Sequence, residues 1–140
     1  KYDTALGREW LLYVEDASGG AENFYFAVSQ DGSGITDSVF MDPDPVVDTW
    51  YFVVCWHDAA NNTINLQINN GTPISKSYSS GVATSSARFS LGALLSNNSP
   101  YAPYAMDGLI DEASFWKRVL TSDERTWLYN AGAGRAYSEL

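Results

Sequence analysis

The chain has one cysteine, Cys55, so no disulfide can form within these 140 residues. That cysteine sits in the apolar run Trp50-Tyr51-Phe52-Val53-Val54-Cys55-Trp56, where a buried small hydrophobe is expected rather than a reactive thiol. Basic residues are also scarce: 8 Lys and Arg face 17 Asp and Glu, a formal net charge of -9. Such a field repels phosphate, which excludes nucleic acid and anionic membrane surfaces as expected partners and leaves room for divalent cations. No apolar run is long enough to cross a bilayer, so membrane insertion is not expected. The single histidine, His57, stands beside Asp58, but neither Gly-x-Ser-x-Gly nor a reactive cysteine accompanies it, and it reads as a strand-end turn residue. With no linker, repeat or composition shift, residues 1–140 read as one domain.

Aromatic residues, by contrast, are plentiful. Five Trp, nine Tyr and six Phe make up 14% of the chain, a load that fits pleated, half-buried sheet surfaces. Strand-like runs alternate with Gly, Asn, Asp and Ser turns at short spacing, the pattern of an all-β fold. Residues 9–15 and 23–29 are two such runs, the first ended by Asp16-Ala17-Ser18-Gly19-Gly20. Asp31-Gly32 signals a hairpin into a shorter strand at 37–42, and Asp42-Pro43-Asp44-Pro45 then reads as a rim loop. The run from Thr49 to Trp56 is expected to be a central strand. Ile64, Leu66 and Ile68 alternate with Asn65, Gln67 and Asn69, which predicts one buried and one wet face. Asn69-Asn70-Gly71 is a second hairpin signal. Further strands are expected near 74–79, over 88–94 and over 108–116, with an exposed aromatic loop between the last two, at 97–104. The expected core is Trp50, Phe52, Val54, Ile64, Leu66, Ile68, Ile110 and Phe115.

One short helix is predicted near the end. Thr121-Ser122-Asp123-Glu124 is a capping box, Trp127 and Leu128 supply an apolar face, and Gly132 can close the helix in the left-handed conformation.

The segment Met106-Asp107-Gly108-Leu109-Ile110-Asp111-Glu112-Ala113-Ser114-Phe115-Trp116-Lys117-Arg118-Val119-Leu120-Thr121-Ser122-Asp123-Glu124, followed by Leu128-Tyr129-Asn130-Ala131-Gly132, resembles the closing part of laminin G-like domains. These belong to the concanavalin A-like lectin/glucanase superfamily. Upstream, Thr49-Trp50-Tyr51-Phe52-Val53-Val54 with His57-Asp58 resembles the family's Trp-containing strand, and residues 63–71 its following hairpin. The resemblance implies a two-sheet antiparallel jelly-roll sandwich. Family domains usually carry several strands before the Trp10-type strand. The expectation is therefore an N-terminally incomplete domain, a segment of a longer polypeptide whose open sheet edge another segment or chain covers.

Two sets of residues are candidates for binding. Tyr101 and Tyr104 can stack on a sugar face and offer a hydroxyl, or can simply pack on the rim; Asn97 and Asn98 complete this ligand-binding set. Asp111 and Glu112, with Asp107, are candidate carboxylate ligands of a structural Ca²⁺ by family resemblance, or else acceptors of hydrogen bonds at a strand junction. A retaining glycosidase needs two carboxyl groups about 5–5.5 Å apart in one cleft. On a strand Asp107 and Asp111 share a face but Glu112 points away, so catalysis is not expected. The leading expectation is a non-catalytic recognition or adhesion module, carbohydrate-binding or bound to a surface protein, on an extracellular, cell-surface or virion-surface assembly. A purely structural decoration or spacer comes second, and a glycoside hydrolase last.

Overall fold

The computed structural model describes residues 1–16, 22–42 and 44–139. Residues 17–20 of the first expected turn lie outside the described residues, as does Pro43 of the rim loop. Among the described residues ten strands form: β1 (Tyr2–Asp3), β2 (Gly7–Arg8), β3 (Trp10–Asp16), β4 (Glu22–Val28), β5 (Asp37–Met41), β6 (Val53–Asp58), β7 (Thr63–Ile68), β8 (Ile74–Ser77), β9 (Ala93–Ser96) and β10 (Ser99–Ala105). An α-helix, α1 (Ser122–Tyr129), and two short 3-10 turns follow them among the described residues. The protein is an all-β sandwich with one short C-terminal helix, as its strand and turn pattern predicts.

Two three-stranded antiparallel sheets, β3-β4-β5 and β6-β7-β8, supply the core. Register explains which side chains enter it. Phe24, Phe26 and Val28 share one face of β4 and lie opposite Met41, Val39 and Asp37 of β5. Across the gap, Ile64, Leu66 and Ile68 share one face of β7, with Cys55 and Val53 of β6 opposite Leu66 and Ile68. The apolar side chains among these and Tyr78 form one cluster, in which Val28, Ile64 and Leu66 are fully buried. Each such side chain contributes roughly 1.5–3 kcal/mol. Cys55 packs against the cluster, and burial pushes its thiol up to about 12, far from thiolate chemistry.

The third sheet, in the order β10-β9-β1-β2, is antiparallel except where β1 runs parallel to β9. Both hairpin loops of this fold that begin with paired asparagines use the same turn. Asn69 and Asn70 before β8, and Asn97 and Asn98 before β10, all take positive φ between 48° and 59°. Two consecutive left-handed residues match the twist of flanking strands, and asparagine tolerates that conformation better than most residues.

The helix forms as its sequence dictates. The Thr121 hydroxyl accepts from Glu124 N, and Glu124 accepts from Thr121 N at 2.8 Å. It ends at Asn130, in the left-handed conformation at φ 48°, two residues before the expected Gly132.

Several expectations are corrected. The polar face of β7 is not wet: Asn65 and Gln67 are 4% exposed. Arg125 of α1 covers this face, donating to Gln67 Oε1 at 2.6 Å and lying 4.5 Å over the Trp56 ring. Its own polar groups are satisfied there. Ser75 donates to Asn65 Oδ1 at 2.6 Å, and Gln67 Nε2 donates to the Gly71 carbonyl at 2.7 Å. The central strand of its sheet is accordingly β7, and β6 lies at the edge. The Trp-containing run enters β6 only at Val53, which leaves Trp50 61% exposed.

Segment 108–116 forms no strand. Glu112 takes a positive φ of 49° and interrupts any extended run, and Ile110 and Phe115 are 47% and 73% exposed rather than core. Finally, the strand expected over 88–94 begins only at Ala93, after Gly92 at φ 73°, and the aromatic loop expected at 97–104 is the turn into β10 and most of that strand.

Candidate functional site

The third sheet is organised around one carboxylate. Asp3 is fully buried, and its oxygens accept four backbone N–H groups: Ala5 at 2.8 Å, Leu6 at 2.9 Å, Asn97 at 2.9 Å and Asn98 at 2.5 Å. It closes the β1–β2 turn and the β9–β10 turn together. Burial alone would raise its pKa, but these N–H groups outweigh that and hold it below the usual aspartate value. The Asn98 side chain is also engaged, accepting from Arg88 N at 3.0 Å, whereas Asn97 is exposed. The two asparagines expected to touch ligand are therefore first of all the turn that Asp3 grips.

That turn launches β10, every residue of which is exposed. Tyr101 and Tyr104 are three apart, and on a regular strand they would point to opposite faces. The pairing shifts between them: Pro100 faces Leu95 and Ala105 faces Ala93, so β10 carries extra residues against β9. Such a bulge re-aims side chains. It brings the two rings together, with centroids 5.5 Å apart and planes inclined at 33°. Both stay open to solvent, at 43% and 63% exposure. The structure thus unites two of the residues that the sequence marks for ligand binding.

At the opposite edge of the same sheet, the β1–β2 turn faces the loop after β4 across an open cleft of about 450 Å³, lined by Thr4, Arg8, Asp31, Ser33, Thr84 and Ser85 among others. Arg8 donates to the Ser33 carbonyl at 2.5 Å and stacks 5.3 Å over the Tyr2 ring. Asp31 is held below its usual pKa mainly by the backbone N–H and hydroxyl of Ser33, at 2.9 and 2.8 Å. Sequence reading missed this cleft. Its parts lie far apart in the chain, and only the Asp31-Gly32 turn was marked.

Asp107, Asp111 and Glu112 all lie exposed on the segment between β10 and α1. Asp111 turns back to accept from Glu112 N at 2.8 Å. Among the described residues no three His, Cys, Asp or Glu side chains come together where a metal could sit. Calcium takes six to eight oxygens. As placed, these three carboxylates do not fit it, and no strand aligns Asp107 with Asp111 on one face. His57 and Asp58 also part company. Asp58 accepts from Ala60 N, Asn61 N and Asn61 Nδ2 in the turn after β6, while the His57 ring packs edge-on against Tyr78 at 5.6 Å.

Comparison with known proteins adds one result. A laminin G-type family model, described as the concanavalin A-like lectin/glucanases superfamily, matches residues 2–124. Neither the curated proteins nor the solved structures return a match.

Proposed function

Since this chain belongs to the concanavalin A-like lectin/glucanases superfamily, as a laminin G-like domain, we propose that it is a non-catalytic module that binds neutral glycans on Tyr101 and Tyr104. The observation that carries this reading is the pair of exposed rings, 5.5 Å apart, on a strand whose entry turn is locked by Asp3. A sugar ring has an apolar C–H face that stacks on aromatic surface, and a pre-positioned platform loses little entropy on binding. The net charge of -9 disfavours sulfated or sialylated chains and leaves neutral ones. The setting we propose is an extracellular, cell-surface or virion-surface polypeptide. No described helix is long and apolar enough to cross a membrane.

A glycan array probed with the chain tests this. Neutral glycans should bind, and the double variant Tyr101→Ala, Tyr104→Ala should weaken binding about tenfold or more, as loss of one or two stacking contacts implies. Binding undiminished in that variant would remove the tyrosine platform from the proposal.

A second reading, a structural module packed inside a larger assembly, is favoured by the exposed apolar side chains Val47, Leu109 and Phe115. Concentration-dependent self-association in light scattering, without glycan binding, would support it. Calcium at Asp107, Asp111 and Glu112 would require their segment to close around the ion. A melting temperature that rises with added Ca²⁺ and falls with EDTA is its readout.

A further inference from the structure

Helix α1 and the segment before it build a second aromatic recess. Trp116 and Trp127 are 39% and 45% exposed, and between them lies a cleft of about 140 Å³, lined also by Arg118, Leu120, Glu124 and Leu128. Leu120 is buried and is the least exposed of these side chains. The polar wall is pre-built. Glu124 is fixed by the capping box, and Arg118 grips it with two bonds, Nη1 to Oε2 and Nη2 to Oε1, both 2.7 Å. The same guanidinium lies 5.7 Å over the Trp116 ring. Trp127 is steadied from outside by Arg135, 4.7 Å over its ring and bonded to its carbonyl at 3.1 Å.

We propose that this cleft is a second sugar subsite, separate from the tyrosine pair, that takes one neutral pyranose ring. The proposal rests on the glycan-binding reading. The two indoles supply surface for the C–H face of a ring. Among the described residues Glu124 Oε1 meets only Arg118, so it keeps acceptor capacity, and Arg118, which also donates to the Val119 carbonyl at 3.5 Å, keeps N–H groups beyond the three bonds it makes. Acceptor and donor side by side suit vicinal hydroxyls. Arg118 holds Glu124 ionised, with its pKa lowered to about 2, so an acidic sugar or phosphate would meet a carboxylate that already owns the cation. Six residues line the recess, against roughly 20–30 a side in a standard protein interface, which favours a single ring over a folded partner.

The test follows the indole N–H signals of the five tryptophans in the ¹⁵N-labelled chain, assigned with Trp→Phe variants. The probes are the methyl pyranosides of glucose, galactose, mannose and N-acetylglucosamine. At least one should shift the Trp116 and Trp127 signals together and saturably, leaving Trp56 unmoved. Trp127→Ala should weaken that binding at least tenfold, as should Trp116→Ala, which alters only an exposed segment and leaves the helix intact. No saturable shift with any of the four sugars, or shifts that survive both variants, overturns the subsite. The two proposals fail separately. Silent indoles with array binding that depends on the tyrosines would remove this cleft alone. Indole shifts with array binding indifferent to the tyrosine variant would remove the platform alone.

Discussion

Strand β7 is left, and β10 entered, by the same kind of paired-asparagine turn, yet one strand is almost wholly buried and the other wholly exposed. β7 has strands on both sides, the β4–β5 layer against one face and Arg125 of α1 against the other. β10 is the outermost strand of its sheet and, among the described residues, pairs only with β9. Local turn chemistry makes a hairpin in both places. What lies across the faces decides whether the hairpin becomes core or a platform. The stability of the molecule should therefore sit in β7, and its recognition chemistry in β10.

The sharpest test of that division is Leu66→Ala. Leu66 is fully buried on the core face of β7, and its truncation should cost about 2–5 kcal/mol in a urea melt. A loss below about 1 kcal/mol would mean the core does not centre on β7.

Next in size is the clamp that holds β10 without burying it. Asp3→Ala strips four backbone N–H groups of their acceptor and should cost about 2–3 kcal/mol, while loosening β10 in hydrogen exchange more than β7. The same carboxylate sets an acid limb. Its folded pKa lies below the unfolded value of 3.8, so its contribution is complete above that value and is lost as pH falls through the lower folded value. Asp3→Ala should flatten this limb in pH-dependent melts.

A smaller effect is expected from Thr121→Ala, which removes the helix cap and should cost about 1 kcal/mol. Because α1 covers the polar face of β7, the loss should also appear as faster exchange at Gln67. Smallest of all, Tyr101→Ala with Tyr104→Ala should change stability by no more than about 0.5 kcal/mol, since both rings are solvent-exposed. A larger loss in thermal melts would make the pair structural.

The sequence by itself determined what depends on neighbours along the chain. The capping box at Thr121 and Glu124, the Asn69-Asn70 hairpin and the period-two pattern of Ile64, Leu66 and Ile68 all follow from local hydrogen bonding and side-chain alternation, and each stands where it was expected. The all-β sandwich with one C-terminal helix was legible for the same reason. Tertiary structure decided everything that depends on a partner distant in sequence. Asn65 and Gln67 carry polar side chains whose burial depends on Arg125, 58 residues beyond Gln67, and nothing in their own alternation shows it. Asp3 looks like any early acidic residue until it meets the turn at Asn97, 94 residues on. Tyr101 and Tyr104 have opposite parity on paper, and only the register shift against β9 brings them to one side. A strand-like pattern over 108–116 was not enough to make a strand, because a ladder needs a second chain segment to receive its hydrogen bonds. Patterns within a segment fix its own preferences, but pairing and burial are set by what the fold brings against it.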